Sequence, residues 1–362
     1  MKKTNQILAG LLMLFWLVTA AFLWFGPRRE VSEAERRRLE QFPKLSWQTV
    51  LDGRFMSKLE TFSQDQFPLR DVFRGVKAVF GYDVLHRLDN NGIYLADGYA
   101  AKLEYPLNES SVESAIQKFG RIKELYLQNS DKIVFAVAPD KGYYLAQPNG
   151  YPAMDYEKLF SMVSAVDWAE YVDLTDCLSA DCYYRTDTHW RQETLLPAAE
   201  KIAGALGVSI GDDYVPVKLE RPFYGVYYGQ AALPMEPDDM YVLESDTLRG
   251  CTVTNHETGT TASVYDMTKL NSRDLYDVFL SGAVSVLEVE NPAAKTDREL
   301  IVFRDSFGSS LVPLLVPGYK RVTLLDTRYI PTEYLGDYVQ FGSQDVLFLY
   351  SPLVLNNSAM LK

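Results

Sequence analysis

Cysteine and histidine are scarce in this sequence, which limits the kinds of site that it can build. Three cysteines among 362 residues are too few for a disulfide scaffold, and none has the spacing of a metal site. Cys177 and Cys182 enclose a short loop that a disulfide can close in an oxidising compartment, and Cys251 is left over. We therefore predict that the protein binds no metal and no cofactor. Whether Cys177 and Cys182 form a disulfide stays an open alternative.

A surplus of positive charge is also lacking. The formal net charge is −12 and the pI is near 4.9. Because a phosphate backbone requires a basic protein face, this balance excludes nucleic acid as a partner. Aromatic residues are abundant by contrast, with 24 Tyr, 18 Phe and 5 Trp, and their rings suit carbohydrate as well as an ordinary core.

Long apolar runs are absent except at the N-terminus. From Ile7 to Phe25 no residue is charged, and Lys2 and Lys3 precede the run. At about 1.5 Å per residue, such a helix can just span a bilayer core. A cleavable signal peptide is the alternative. Because the run continues to Phe25, we favour an uncleaved signal-anchor in residues 1–27, with the rest of the chain on the extracytoplasmic side of the cell membrane.

The remaining chain falls into a lead-in and a larger domain. Residues 28–90 predict a juxtamembrane lead-in of short helices. From residue 91 to 362, strands alternate with helices, which predicts an α/β domain with a mainly parallel sheet flanked by helices. The predicted strands are Ile133–Ala138, Tyr171–Leu174, Val284–Val289, Leu300–Phe303, Val322–Leu325 and Val346–Tyr350. The clearest predicted helices are Val112–Gln128, with a capping box of Ser110 and Glu113, and Leu195–Leu206, ended by Gly207.

One stretch interrupts the α/β pattern. Residues 212–274 are polar, rich in Thr, Tyr and Gly, and alternate in places. This composition predicts a β-rich insertion. The insertion can be a wall or lid over an active site, or an ordinary surface excursion.

Ser306 is the candidate nucleophile. It closely follows the strand Leu300–Phe303 and precedes Gly308 and an apolar helical pattern. In open α/β sheets, ligands bind at the carboxyl ends of the strands, where backbone N–H groups can hold an oxyanion. The alternative is a structural turn or N-cap, since Asp305 and Ser306 are residue types that favour such positions.

His189 is the candidate base for Ser306. A serine hydroxyl becomes a nucleophile when a histidine takes its proton and a carboxylate orients that histidine. Of the three histidines, only His189 has a carboxylate two residues before it, Asp187, and a large aromatic, Trp190, after it. The alternatives are a loop acid beside a packed histidine, or a metal site, which lacks a second histidine-rich cluster.

Two motifs together carry a family resemblance. Asp187-Thr188-His189-Trp190 followed by Arg304-Asp305-Ser306-Phe307 resembles the DHHW proteins and the related AlgX/AlgJ group of alginate O-acetylation proteins. Further segments agree in order along nearly the whole chain: Ser32-Glu33, Phe42-Pro43, Asp65–Arg70, Pro139–Lys141 and Leu325–Tyr329. The resemblance implies an SGNH-hydrolase-like (flavodoxin-like) fold in which the Asp-His pair precedes the serine.

The resemblance also implies an activity. It is acyl transfer or ester hydrolysis through Ser306, with His189 as general acid and base and Asp187 orienting it. By analogy with the alginate group, the substrate is an exported cell-surface polysaccharide, and a membrane-bound O-acyltransferase partner supplies the acetyl groups. The alternative is a non-catalytic envelope protein that binds glycan or scaffolds polysaccharide assembly through the aromatic segment Tyr224–Gly229.

Two positions depart from the family pattern. Thr188 stands where DHHW proteins have the first histidine, as in the alginate group. Ser281-Gly282-Ala283 stands where family members often carry Gly-Gly-Asn. If that Asn donates to the oxyanion, this chain requires another donor, and the N–H groups of Gly282 and Ser306 are candidates. Further candidates for oxyanion or substrate contacts are Lys141, Arg304 and Tyr227.

Overall fold

The computed structural model describes residues 2–32 and 34–362, and the chain divides into two units. The first unit runs to Asn91 and includes Tyr228–Met235, and the second comprises Gly92–Tyr227 and Glu236–Lys362. Glu33, part of the family resemblance, lies outside the described residues, as does the side chain of Lys2. The predicted bounds of the anchor, the lead-in and the catalytic domain stay predictions.

The helices of the described residues include one long apolar helix and many shorter ones. In chain order, the α-helices are α1 (Lys2–Phe25), α2 (Trp47–Leu51), α3 (Arg54–Asp65), α4 (Arg70–Val79), α5 (Glu109–Tyr126), α6 (Lys141–Leu145), α7 (Tyr156–Ser164), α8 (Leu196–Leu206), α9 (Val226–Ala231), α10 (Asp246–Gly250), α11 (Gly308–Leu315), α12 (Leu335–Tyr338) and α13 (Pro352–Leu355). A π-helical turn, Phe80–Val84, continues α4, and a 3-10 turn spans Leu275–Val278.

The helix α1 is long and apolar enough to cross a membrane, as predicted. Its 24 residues form one uninterrupted helix that ends at Phe25. At about 1.5 Å per residue it measures roughly 36 Å, against about 30 Å for a bilayer core. Nearly all of its side chains are exposed.

The strands of the described residues form one large sheet and three two-stranded ones. In chain order they are β1 (Val31–Ser32), β2 (Arg37–Arg38), β3 (Ile93–Ala96), β4 (Tyr99–Lys102), β5 (Ile133–Val137), β6 (Glu170–Val172), β7 (Val215–Lys218), β8 (Tyr241–Glu244), β9 (Thr252–Asn255), β10 (Thr260–Ala262), β11 (Val286–Glu290), β12 (Glu299–Arg304), β13 (Arg321–Leu325) and β14 (Asp345–Tyr350). The large sheet has the order β10-β9-β11-β13-β12-β14-β5-β6.

The large sheet confirms the predicted fold class. Its strands from β13 to β6 are parallel to their neighbours, and β11, β9 and β10 add an antiparallel edge. Every strand predicted from an apolar run is present, with ends shifted by at most two residues. Because β5, β12 and β14 run side by side in parallel, the segments that follow them meet at one edge of the sheet.

Helices cover both faces of this sheet, which explains why its strands are apolar on both sides. On one face, Val134, Ala136, Val302 and Leu349 pack with buried side chains of α8 and α11. On the other face, alternate residues pack with α5 and α7, and these residues are Phe135, Ile301, Phe303 and Phe348. The alternation follows from the two-residue period of a strand.

Two local predictions are corrected. Region 212–274 contains strands, as expected, but its hairpin β9–β10 is not an excursion, because β9 pairs with β11 and extends the central sheet. The cap of α5 is Asn108, whose side chain accepts a hydrogen bond from the Ser111 N–H, so Ser110 is not the N-cap. Asn is as good a cap as Ser, and the helix therefore begins earlier.

Candidate active site

Asp187, His189 and Ser306 form a continuous hydrogen-bonded chain. Nδ1 of His189 lies 2.6 Å from Oδ1 of Asp187, and Nε2 lies 2.8 Å from Oγ of Ser306. Because a carboxylate only accepts hydrogen bonds, Nδ1 carries the proton and Nε2 accepts from the serine hydroxyl. Both ring nitrogens are thus engaged with protein partners, which leaves none for a metal.

Ser306 lies at the turn between β12 and α11. From Leu300 to Val316 every residue is buried except Ser306, which is partly exposed. The turn is held by Asp305, whose Oδ1 accepts from the Phe307 N–H at 2.9 Å. Its Oδ2 accepts from the backbone and hydroxyl of Ser351, which follows β14. Two neighbouring strands therefore fix the serine where solvent can reach it.

Asp187 is held by a segment that lies far from it in sequence. Its Oδ2 accepts a hydrogen bond of 2.7 Å from the Val226 N–H, and its Oδ1 accepts from the backbone N–H of His189 at 3.1 Å. The side chain is completely buried. Backbone donors at both oxygens stabilise the charged carboxylate and set its orientation toward the imidazole.

Gly225 allows this close approach. A Cβ atom at Gly225 would lie 2.3 Å from both the Asp187 Cβ and the Thr186 carbonyl oxygen. The Gly225 N–H also donates to the Thr186 hydroxyl at 2.8 Å. Only glycine fits between the two segments.

A second carboxylate, that of Asp238, fixes the loop in front of Asp187. Its two oxygens accept from the backbone N–H groups of Arg185 and Thr186, at 2.8 and 2.9 Å, and from the Thr186 hydroxyl at 2.6 Å. The loop is thereby held by two backbone hydrogen bonds and one side-chain hydrogen bond. The sequence pattern around Asp238 gave no signal of this role.

The ring of His189 lies flat against the ring of Tyr276. The ring centroids are 3.8 Å apart and the planes differ by 6°. The Tyr276 hydroxyl forms a 2.7 Å hydrogen bond with Ser310, which also accepts from Nε1 of Trp190 at 2.9 Å. Tyr276 and Trp190 are therefore linked through a residue of α11, the helix that follows Ser306.

The region that contains Asp187, His189 and Ser306 is similar to known proteins. Residues 163–325, which include Asp187, His189 and Ser306, match a family model described as DHHW protein. The resemblance to the DHHW family is confirmed. A search of the curated proteins finds no match to the chain.

Solved structures similar to this chain include a DHHW family protein. A DHHW family protein from Eubacterium siraeum matches with a TM-score of 0.58 at 21% identity, covering 75% of this chain and 94% of its own. PatB1 from Bacillus cereus, in a structure with a sulfonyl adduct, matches with a TM-score of 0.57 at 17% identity, covering 73% and 95%. The O-acetyltransferase domain of Pseudomonas putida AlgJ matches with a TM-score of 0.45 at 14% identity, covering 73% and 92%. The first two likenesses show the fold.

The segment that stands where DHHW family members often carry Gly-Gly-Asn begins in a tight left-handed turn. Leu280, Ser281 and Gly282 have φ values of 54°, 58° and 85°. The Gly282 N–H donates to the Phe279 carbonyl at 3.2 Å, so it is engaged within the turn, and its contact with an oxyanion stays a prediction. The other candidate, the Ser306 N–H, has no acceptor among the described residues.

Arg304 holds this turn and is not open to a substrate. Its buried guanidinium donates to the Ser309 hydroxyl at 3.0 Å and to the Gly282 carbonyl at 3.4 Å. Burial lowers the pKa of Arg304 from its usual value. Because the side chain is fully buried against the turn, the structure gives Arg304 a supporting position instead of the predicted substrate contact.

Lys141 and Tyr227 lie near the loop that carries Arg185, Thr186 and Asp187. Both side chains are also buried. Nζ of Lys141 donates to the carbonyls of Tyr184 at 2.8 Å and Arg185 at 3.3 Å, and burial lowers its pKa to about 7. The Tyr227 hydroxyl donates to the Thr188 hydroxyl at 2.9 Å. Neither side chain is exposed enough for the direct substrate contact that the sequence suggested.

Two cysteines lie shortly before Asp187 in the sequence. Cys177 and Cys182 are free and partly buried in the structure, and a disulfide between them stays a prediction. The Cys177 thiol lies 3.3 Å from an oxygen of Asp176, and the Cys182 sulfur lies 3.8 Å from the Ser179 hydroxyl. The two sulfurs thus contact separate partners.

Proposed function

We propose that this protein is an extracytoplasmic serine acyltransferase or esterase that modifies an exported cell-surface polysaccharide. The observation that carries the proposal is the bonded chain from Asp187 through His189 to Ser306, with distances of 2.6 and 2.8 Å. Nucleophile, base and orienting acid are within hydrogen-bonding distance without any movement, which is the geometry that nucleophilic catalysis requires.

The first half of the reaction transfers the acyl group to Ser306. As Oγ attacks the ester carbonyl, Nε2 of His189 takes the hydroxyl proton, and the Asp187 carboxylate stabilises the resulting imidazolium. The Ser306 N–H is the backbone donor available to the oxyanion. When the tetrahedral intermediate collapses, the bond to the leaving alcohol breaks and His189 returns the proton to that alcohol.

The second half releases the acyl group. An acceptor hydroxyl loses its proton to Nε2 of His189 and attacks the acyl carbonyl. The Ser306 ester bond then breaks, and His189 returns the proton to Oγ. A sugar hydroxyl as acceptor makes the protein a transferase, and water makes it an esterase.

The polysaccharide substrate and the acetyl source are supported by the sequence resemblance. The alginate O-acetylation group supplies the analogy for an exported polysaccharide and for a membrane-bound O-acyltransferase that provides acetyl groups. The apolar helix α1 is consistent with a single-pass anchor, which would hold the site beside such a partner. In the aromatic segment of the glycan-binding alternative, Tyr227 is buried and Tyr224 is exposed.

The proposal is tested by trapping the acyl-enzyme. The full chain in detergent is exposed to an activated acetyl ester or, since the PatB1 structure carries a sulfonyl adduct, to a sulfonyl fluoride. We expect mass spectrometry to find the adduct on Ser306, none in Ser306→Ala, and an unchanged adduct in the control Ser164→Ala, an exposed helix serine. An adduct of equal yield in Ser306→Ala would refute the mechanism. Release of the acetyl group by oligosaccharide or by water then separates transferase from esterase.

A further inference from the structure

The helix α4 turns two of its charged side chains, Arg70 and Arg74, inward, whereas Asp71 and Lys77 are exposed. Arg70 and Arg74 both form ion pairs with Glu35, at 2.6 and 3.2 Å, and Arg74 also donates to the Gly229 carbonyl at 2.8 Å. Ala78, on the same side of the helix, is fully buried. The inner contacts of α4 are therefore dominated by charges and hydrogen bonds.

The opposite side of α4 is apolar and exposed. Its side chains are between 46% and 71% exposed, and they are Leu69, Val72, Phe73, Val76 and Phe80. They recur at spacings of three and four residues, so they share one face of the helix. A helix on the surface of a soluble protein has the reverse arrangement, with its apolar side toward the core and its charges toward water. We call these five residues the outer face of α4.

The outer face of α4 is continuous with the apolar helix α1. A cleft of about 660 Å³ lies between them. Phe15, Val18 and Phe22 of α1 line one wall, and Leu69, Val72 and Phe73 line the other. The charged residues at the cleft include Arg29 and Asp71, which pair with each other at 3.0 Å. The apolar surface of α1 therefore adjoins the outer face of α4 across this cleft, whose lining also includes the polar side chains of Gln66 and Arg70.

The position of this cleft along the axis of α1 indicates that lipid fills it. Phe15 lies ten residues before Phe25, which is roughly 15 Å along the helix axis, or about half of a bilayer core. If α1 spans the bilayer, a cleft lined by Phe15 and Val18 lies within the hydrocarbon. The side chains of α4 on the other wall of the same cleft then contact lipid as well.

The end of α1 is also tied to the lead-in segment. The rings of Trp24 and Phe42 are 5.6 Å apart, and the guanidinium of Arg28 lies 4.5 Å from the centre of the Phe62 ring. The net charge of the lead-in segment does not oppose contact with a membrane. Residues 26–91 contain twelve Lys and Arg against ten Asp and Glu, although the whole chain is strongly acidic.

We propose that the outer face of α4 is seated in the lipid bilayer beside α1. The segment predicted as a juxtamembrane lead-in is then a membrane-embedded base. Its partner is the acyl-chain region of the lipid, because the face is apolar and adjoins the apolar helix α1, and its arginines turn inward to Glu35. The inference does not depend on the chemistry at Ser306.

A photoreactive lipid tests the contact directly. The full chain is reconstituted into vesicles of phosphatidylethanolamine and phosphatidylglycerol that carry a lipid with a diazirine in its acyl chain. After illumination, mass spectrometry locates the lipid adducts on the protein. We expect adducts on the peptides of α4 as well as those of α1. The variant Val72→Asp/Val76→Asp should lose most of the α4 adducts, because it places charge in the hydrocarbon.

A control variant and two contrary outcomes complete the test. Ser57→Asp/Thr61→Asp adds two charges at exposed positions of α3 and should keep the α4 adducts. Adducts confined to α1 in the unmodified chain would overturn the proposal, and would fit a protein partner or a second copy on this face. Equal α4 labelling in Val72→Asp/Val76→Asp would also overturn it. Labelling of the unmodified chain decides the matter even if that variant fails to fold.

Discussion

Tyr276 lies face to face with His189, with ring centroids 3.8 Å apart and planes within 6° of each other. The contact fixes the plane of the imidazole, so that its two nitrogens lie along the line from Asp187 to Ser306. Tyr276 touches neither of those two residues by a hydrogen bond, and its hydroxyl instead bonds to Ser310. We regard it as a positioning residue, because it acts through the base.

The two functions of Tyr276 can be separated by substitution. Tyr276→Phe keeps the stacked ring and removes one hydrogen bond, so we expect a loss of about 1 kcal/mol in unfolding free energy and kcat within a few fold. Tyr276→Ala removes the ring, which should cost about 3–5 kcal/mol and lower kcat more than it raises KM. Steady-state kinetics on an activated acetyl ester and denaturant unfolding of both variants measure these effects. Full kcat in Tyr276→Ala would contradict the positioning role.

Asp187 should be the orienting acid, and Asp187→Asn tests that role. The amide can present its N–H to Nδ1 of His189, which favours the tautomer that carries its proton on Nε2 and cannot accept from Ser306. We expect kcat to fall by about 10³–10⁴-fold with little change in fold. The matched control is Asp213→Asn, which changes an exposed carboxylate. Equal activity in the two variants would exclude Asp187 from the mechanism.

Gly225 should be as important to activity as a catalytic group, although it has no side chain. Gly225→Ala places a methyl group 2.3 Å from the Asp187 Cβ, so the backbone of one segment must shift. Misplacement of a catalytic group by about 1 Å can cost about 10²-fold in rate. Gly211→Ala is the control, since a Cβ atom there meets nothing within 4 Å. Kinetics of both variants on the same ester measure the difference, and equal rates would show that the two segments separate without effect.

Lys141 should make stability depend on pH. Its folded pKa is about 7, whereas its usual value is 10.5, because burial opposes the charge. Between these values the unfolded chain binds a proton that the folded chain lacks, so stability rises as pH increases through this window. Relative to Lys141→Met, the unmodified chain should gain roughly 1.4 kcal/mol per pH unit between pH 7 and 9.

Denaturant unfolding of both proteins across this pH range measures the effect. Lys132→Met is the control, because Lys132 also donates to a backbone carbonyl, that of Ala205, but from an exposed position. The pH profile of Lys132→Met should run parallel to that of the unmodified chain, because this variant retains Lys141. Parallel pH profiles for the unmodified chain and Lys141→Met would mean that Lys141 stays charged when buried.

The sequence by itself predicted the parallel strands of the sheet and brought forward Asp187, His189 and Ser306 as candidates. Strands buried on both faces are continuous apolar runs, so β5, β12 and β14 could be predicted from composition alone. Only His189 has a carboxylate two residues before it, which reduced the choice of base to that histidine. These features are local, and local pattern is what a single sequence displays.

The tertiary structure decided which residues support those candidates. His189 and Ser306 are 117 positions apart, and the Val226 N–H reaches Asp187 across 39 positions. Tyr276, Gly225 and Asp238 have no local pattern that distinguishes them, because their contacts are made only when distant segments meet. The hydrogen bond from the Gly282 N–H to the Phe279 carbonyl also has no local pattern that predicts it. Neither does the exposure of the apolar side of α4. Periodicity predicts that a helix has two sides, but only packing determines which side faces inward.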